Sequence, residues 1–585
     1  MARPVNTGDA LLGDYEMTTK ASLLRQAGLG VLAGLMLTSV AEAKATKHHH
    51  PHAAKAPPVE DQRINALEAQ VQALQSWRNE QAQQHAEDQQ QLAGLRQQLA
   101  DTQARADAAE ADAHAQIQTI PGAVRSEIAA EKPKDGKIHY KGVTLTVGGF
   151  AAAEGVYRSK NEEADIGSSF AKIPFANNVA GRTSELRGTA RQSRLSLLAE
   201  GDINPSTHAA FYSEIDFLAG PQTGNSNESN SFSPRIRNLY GTLDWDDSHL
   251  HLLAGQTWSL ATMNSKGITP RNEMPPPTID AQYVVGFSWA RQPQVRLTAD
   301  FDNKQVWAAV SLENPQTTFG AAATGVTGTT VSGVSATTGA TSTSQFDSAN
   351  TLSFNRVPDV FAKLAFEPDF GGSRPLHLEV FGVYRSYYDR VNVTGPNVLG
   401  IPVGASSKST DGGGVGAGLT WTVVPKLIDI QASAMFGRGI GRYGSGQLPD
   451  AIVGPNGELK PIQETMFMGG ATLHATKALD LYVFGGQERE DGLYSKIGAN
   501  TYGFGAPTAT LANCAIEGAS CTPNIREMSQ VAAGLWDKIY QGGFGSVRVG
   551  LQYSYTELTA FSGVGGITPK TNENMIFTSF RYYPF

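Results

Sequence analysis

From Lys137 to the C-terminus, apolar and polar residues alternate with a period of two. In LIDIQASAMFG, Ile428, Ile430, Ala432, Ala434 and Phe436 alternate with Asp429, Gln431, Ser433, Met435 and Gly437. In SVRVGLQYSYT, Val547, Val549, Leu551, Tyr553 and Tyr555 oppose Ser546, Arg548, Gly550, Gln552, Ser554 and Thr556, and in AAFYSEIDF, Phe211, Ile215 and Phe217 oppose Tyr212, Glu214 and Asp216. A strand sends successive side chains to opposite faces, so each segment predicts a strand with one apolar and one polar side. Strands of a soluble sandwich run to about six residues. Many of these run to about ten, the length that a tilted strand needs to cross hydrocarbon.

The connections between strands come in two kinds. Short links fall near 201–206, 246–248, 302–303, 368–375, 425–426, 476–478 and 541–543. Long ones fall near 158–181, 220–232, 259–288, 314–356, 389–412, 439–463, 490–527 and 557–573. The two kinds alternate strictly and join sixteen strands. Residues 137–585 therefore predict an all-β transmembrane barrel of about sixteen antiparallel strands, with both chain ends on the short-turn, periplasmic face. The apolar face meets lipid or a neighbouring barrel, and the polar face lines water. The Gly/Thr/Ser/Ala tract at 316–356 reads as a mobile external loop.

Upstream the period changes. Ile64, Val71, Arg78, His85, Leu92, Leu99, Ala106 and Ala113 occupy heptad a positions, and Leu67, Leu74, Gln81, Asp88, Leu95, Thr102 and Ala109 occupy d. Such a seam is buried only against another helix, most simply a copy of itself, so residues 61–120 predict a long α-helical coiled-coil stalk that oligomerises the chain. Pro121 and EKPKDGK end it in a linker, 121–136. Read from Met17, a possible true start, Lys20 and Arg25 precede an apolar run from Gly28 to Val40 and then Ala41-Glu42-Ala43. That is an export signal, 1–43, too short to span as a helix. Residues 44–60 form a His/Pro/Ala linker. Its four histidines at 48, 49, 50 and 52 are metal-ligand types, but a polar linker offers no second shell, and no metal or cofactor is assigned.

Composition narrows the function. A net charge of −8 over 585 residues gives no basis for nucleic-acid binding. There is no G-x-x-x-x-G-K-[ST] and no H-E-x-x-H. GFSWA at 286–290 approximates a nucleophile elbow but leads into a strand instead of a helix, so catalysis is not supported and the chain is not read as an enzyme. The only cysteines, Cys514 and Cys521, sit in the seventh long loop of an exported chain and predict a loop-stapling disulfide.

Charge placement is more specific. Arg187, Arg191 and Arg194 come first, then Glu214 and Asp216, then Arg235 and Arg237, on successive strands. Two readings stand side by side: cross-strand pairs that neutralise one another, or a cationic wall over which anions pass. Arg194, Arg296 and Arg548 have inward parity, whereas Arg187 and Arg191 reach the lumen only through a bulge or from the loop. Charges on the lipid face cost about 2–4 kcal/mol at midplane, which favours inward arginines. The third long loop, 259–289, carries Lys266, Arg271, Glu273 and Asp280 with Pro275, Pro276 and Pro277. Stiffened in this way, it is expected to fold inward and set carboxylates opposite the arginines.

The stretches TARQSRLSLLAEGD, EIDFLAG, PRIRNLYG, LLAGQTWS, PPTIDAQ and RQPQVRLT, behind a coiled-coil extension, resemble the DcaP-like family of trimeric outer-membrane porins. The similarity covers the stalk and the first half of the barrel. It implies a sixteen-stranded homotrimer in the outer membrane of a Gram-negative bacterium, in contact with lipid and lipopolysaccharide. It also implies a third loop folded inward, pore-lining Arg194 and Arg237, and passage of small anions such as dicarboxylates. The terminal IFTSFRYYPF adds a closing strand in which Phe580, Tyr583 and Phe585 form the signal that barrel-assembly machinery reads. Ile576, Phe580 and Tyr582 share one face, Phe577, Tyr583 and Phe585 the other with Ser579 and Arg581. Either Arg581 snorkels to the rim or the register shifts near Pro584. The expected function is passive anion-preferring diffusion, with a non-conducting, barrel-anchored adhesin or envelope tether as the alternative.

Overall fold

The computed structural model describes residues 137–585 apart from 220–231, 341–351 and 369–373, together with residues 71, 72, 75, 78, 93, 94, 96–98, 100–105 and 108. The chain divides into two units, Met1–Arg125 and Ser126–Phe585. In the first, the described residues are α-helical, as the heptad predicts. The export signal, both linkers and most of the coiled-coil seam lie outside the described residues. Among the described residues no helix is long and apolar enough to cross a membrane.

The second unit is a closed antiparallel barrel. Its strands are β1 (Val143–Arg158), β2 (Glu185–Thr189 continued by Arg194–Asn204), β3 (Thr207–Asp216), β4 (Arg235–Trp245), β5 (Leu250–Trp258), β6 (Arg291–Phe301), β7 (Val306–Glu313) and β8 (Asp359–Phe366). They continue as β9 (Leu376–Val393), β10 (Gly404–Val424), β11 (Ile428–Arg438), β12 (Gln463–His474), β13 (Leu479–Glu490), β14 (Ile525–Gly542), β15 (Gly545–Ala560) and β16 (Lys570–Tyr583). Each pairs with the next, and β16 closes on β1 through Ala151–Arg158 opposite Tyr582–Met575. Closure leaves no strand edge, so every ladder amide has a partner without water.

The outer surface is apolar. Leu195, Leu197, Phe211, Val295, Leu297, Val310, Leu364, Val380, Val415, Phe436, Phe467, Val483, Val531, Leu551 and Phe580 are all exposed on it. Each would cost about 1.5–3 kcal/mol facing water, so this is the surface of a barrel solvated by hydrocarbon. The inner face is polar along most strands, but β12–β14 turn Met466, Met468, Tyr482, Phe484, Met528 and Trp536 inward, where they are buried. A wholly water-lined inner face is therefore corrected: this arc packs against the third long loop.

Between β1 and β2, residues 151–153 stand opposite residues 190–193, with Phe150 paired to Arg194 below and Glu154 to Thr189 above. The extra residue is a bulge, and it reverses parity. Below it the even positions Arg194 and Ser196 face inward. Above it Arg187 does, 3.2 Å from Glu185. Arg191 lies in the bulge itself and ties two loops together, its Nη1 3.0 Å from Asp165 and its Nε donating to the Phe217 carbonyl at 3.0 Å.

Connection lengths follow the predicted alternation, with two corrections. The fifth long loop shrinks to 394–403 because β9 and β10 stay paired up to Val393 and Gly404, and the eighth shrinks to 561–569. In the Ser- and Gly-rich GASSKSTDGGG both faces are polar, so no alternation marks the strand. Residues 316–340 are also not a free loop. Phe319–Gly320 pairs in parallel with Ala451–Ile452, Val334–Thr337 pairs with the top of β9, and Val331 and Val334 are buried with Val391, Val393 and Tyr502. Cys514 and Cys521 form a disulfide in the seventh long loop, their Cα atoms 5.1 Å apart.

The third loop is held where Gly286 (φ +88°) passes β12; a Cβ there would collide with the Phe467 carbonyl oxygen. Gly286→Ala is expected to lower unfolding stability by about 1–3 kcal/mol and to speed protease cleavage within 259–290, measured by denaturant titration and timed digestion.

Candidate functional site in the barrel lumen

The third long loop, 259–290, crosses the lumen and is anchored by side chains from around the wall. Leu260 N donates to Glu313 Oε1 (3.0 Å), Asn264 N to Glu379 Oε2 (3.1 Å), Gly286 N to Glu488 Oε1 (2.8 Å) and Val285 N to Gln530 Oε1 (3.1 Å). Ile279 N donates to Gln552 Oε1 (2.6 Å), while its carbonyl accepts from Gln192 Nε2 (2.7 Å). Gln431 Nε2 reaches the Met274 carbonyl at 2.6 Å and Trp536 Nε1 the Pro277 carbonyl at 2.7 Å. Beneath these bonds Ile279, Val284, Val285 and Phe287 pack on the apolar arc of β12–β14. A buried loop has amides to satisfy, and here inward carboxylates and amides satisfy them.

Against this loop stand β2–β5 and β14–β16. One cavity of about 220 Å³ is lined by Arg194, Tyr212, Glu214, Arg237, Trp258, Arg271, Glu273 and Pro275. A second, of about 290 Å³, shares Arg194, Arg237, Trp258 and Pro275 and adds Asp280, Arg548, Arg581, Trp536, Tyr583 and Asp480. The residues common to both make a neck between them.

The arginines divide by partner. Arg237 Nε lies 2.5 Å from Glu214 and its Nη1 3.0 Å from Asp216, and Arg235 grips Asp216 with two bonds of 3.0 and 2.8 Å. Arg581 holds Glu154 at 2.8 Å and Gln192 at 3.2 Å. Arg271 lies 3.6 Å from Glu200. Arg194 and Arg548, by contrast, have no hydrogen-bond or ion-pair partner among the described residues, and the Nε of each is buried without an acceptor. Their guanidiniums stack on Phe150 and Tyr583, each 5.3 Å from the ring centroid. Both readings of the charge order thus hold in part: Glu214 and Asp216 neutralise Arg235 and Arg237, while Arg194 and Arg548 carry unpaired positive charge, as does Arg291 over the Trp258 ring. On the loop, Asp280 accepts from the Ser168 and Gln282 amides at 3.1 and 2.8 Å, and burial pushes its carboxyl up to about 6.

Of the ten residues that the sequence marks for the lumen, Arg194, Glu214, Arg237, Arg271, Glu273, Asp280 and Arg548 line these two cavities. Asp216, Arg235 and Arg296 do not. Asp216 and Arg235 are engaged with each other, and Arg296 is buried behind the loop, its Nη2 on the Trp258 carbonyl at 2.5 Å. Arg581, Gln192, Tyr212 and Trp258 went unmarked. Arg581 was legible in principle, since it shares parity with Ser579 and, with Phe577 and Tyr583, faces the lumen in an unbroken register through Tyr583. It neither snorkels nor needs a shift at Pro584. Tyr583 also faces inward, 5.1 Å from Phe150, while Phe580 faces outward and Phe585 is exposed.

The chain is similar in fold to the crystal structure of the outer-membrane channel DcaP of Acinetobacter baumannii. Identity is 18%, the match covers 76% of this chain and 99% of that one, and the TM-score is 0.50, a likeness of fold. More distant matches are an anion-selective porin from Comamonas acidovorans (11% identity, 75% and 99% covered, TM-score 0.40) and Pseudomonas putida OprB (10%, 79% and 96%, TM-score 0.41). The sequence matches no protein-family model and no curated protein.

Arg237→Ala leaves the nearly buried Glu214 without its ion pair, at an expected cost of about 3–5 kcal/mol. Arg194→Ala breaks no ion pair and is expected to cost less than about 1 kcal/mol. Denaturant unfolding of the two variants measures the difference.

Proposed function

We propose that the protein is an outer-membrane channel for passive diffusion of small hydrophilic anions, dicarboxylates among them. The observation that carries this reading is a pair of guanidiniums, Arg194 and Arg548, with unaccepted N–H groups, in a lumen that the inward third loop narrows. An anion entering the neck supplies the acceptor that these donors lack, and Arg237 and Arg581 add positive field although their own carboxylates hold them in place. Nothing in the site binds the anion on every side, so it leaves down its gradient. The likeness in fold to the DcaP channel supports the reading. The short-turn end faces the periplasm, and the outward apolar girdle meets lipid and lipopolysaccharide. Phe580 and Phe585 at the closing strand, with Tyr583, serve barrel assembly. The heptads of 61–120 gather three copies through a periplasmic coiled coil.

In planar bilayers the protein is expected to conduct in steps of three equal levels, with reversal potentials in a salt gradient that favour anions. Arg194→Ala combined with Arg548→Ala should lower the anion-to-cation permeability ratio at least about twofold. No conductance at all overturns the channel, and cation preference in the unaltered protein overturns the role of the arginines.

Deletion of 61–120 should convert heat-resistant trimers in detergent to species that separate at lower temperature. Unchanged heat resistance assigns the stalk another job.

A further inference from the structure

The short-turn end of the barrel carries a pattern that the constriction does not use. Six histidines lie among the described residues, and four of them bridge two carboxylates each. His208 Nδ1 is 2.6 Å from Asp202 and its Nε2 3.0 Å from Asp246. His251 lies 2.7 Å from Asp244 and 2.9 Å from Asp300. His377 lies 2.9 Å from Glu367 and 3.1 Å from Glu379, and His474 lies 2.7 Å from Asp480 and 3.0 Å from Asp429. An ionised carboxylate only accepts hydrogen bonds, whereas a neutral imidazole has one N–H. A ring with both nitrogens in such contacts donates twice and is therefore an imidazolium.

The clamps are in register across the sheet. Asp202 of β2 stands opposite His208 of β3, His208 opposite Asp244 of β4, and Asp244 opposite His251 of β5. On the other side of the barrel His474 of β12 stands opposite Asp480 of β13, with Asp429 on β11. All have the parity of the lumenal side chains. His208 thus faces Asp202, Asp244 and Asp246. His251 faces Asp244 and Asp300, shares Asp300 with His249 at 3.1 Å, and stacks on Trp307. His377 faces Glu367 and Glu379, the latter also paired with Lys363 of β8 at 2.9 Å. Lys266, Arg374, Glu367, His377 and Asp429 line a cavity of about 500 Å³, and Asp480 lines the arginine cavity, so the His377 and His474 clamps border these cavities.

We propose that these four clamps make the periplasmic mouth a charge gate set by periplasmic pH. Protonated, the imidazoliums offset half of the eight clamping carboxylates and let anions leave. Deprotonated, they leave seven of those carboxylates without a cation, Glu379 keeping Lys363, and the mouth opposes anions while it admits cations. The proposal rests on the channel reading above and adds to it a second determinant of selectivity, carried by histidines and not by the arginines of the neck.

The test uses the full-length protein inserted in one orientation in a planar bilayer, with the reversal potential read in a KCl gradient while pH is raised on one side only, from about 7 to about 9. Raising it on the periplasmic side is expected to lower the anion-to-cation ratio at least about twofold, and raising it on the opposite side to leave the ratio unchanged. A variant with His208→Gln, His251→Gln, His377→Gln and His474→Gln should lose the response. If that variant fails to assemble, single His208→Gln and His474→Gln variants should each reduce it. An anion-selective current with no one-sided response, or a response retained in the variants, overturns this proposal alone. Absence of any current overturns the channel reading and this proposal with it.

Discussion

A peptide group left unpaired in hydrocarbon costs several kcal/mol, and the seam between β1 and β16 is what spares this barrel that cost. Once the seam is closed, each of the sixteen strands has two neighbours and its side chains have only two places to go. Apolar residues take the outside, where a soluble protein would place its polar ones. Most charged side chains in the middle of the strands are then driven inward, and the lumen becomes a compartment in which arginines and carboxylates meet. Even the bulge opposite residues 151–153 of β1 acts through this constraint, because one extra residue decides that Arg187 and Arg194 both point inward.

The inward polar residues then do two separate things. Glu313, Glu379, Glu488, Gln530 and Gln552 accept backbone amides of the third loop and fasten it across the lumen. Arg194 and Arg548, on the strands beside this loop, are left without acceptors. A loop held by buried hydrogen bonds is costly to displace, since each broken bond leaves a buried group unpaired. The neck is therefore a rigid feature of the wall and not a flap. Toward the short-turn end of the same strands the histidine clamps place a second set of charges, one of whose carboxylates, Asp480, reaches the arginine cavity.

Much of this was legible from the chain itself. Strand number, turn side, the Cys514–Cys521 bridge and the inward parity of Arg194 and Arg548 follow from a period-two pattern and from connection lengths, which depend only on local backbone geometry. Three things were not. The Ser/Gly stretch 404–414 is a strand with no apolar face to betray it. The tract at 316–340 is packed because isolated valines 331 and 334 find Val391 and Val393, a contact invisible along the sequence. Met466, Met468 and Met528 share the parity of inward Glu464 and Gln530 but are apolar, because the third loop supplies an apolar partner there.

By itself, then, the sequence determined the barrel and its strand count, and the inward parity of Arg194 and Arg548, because side-chain alternation is a property of each strand alone. Only the tertiary structure decided which arginines keep a partner. Asp216 satisfies Arg235 and Arg237 together, and Glu154 comes round from the first strand to meet Arg581 on the last. Pairing depends on which side chains closure brings within about 3 Å, across strands as much as four hundred residues apart in the chain. Arg194 and Arg548 are among the guanidiniums that those pairings leave with a buried N–H and no acceptor, as are Arg291 and Arg526.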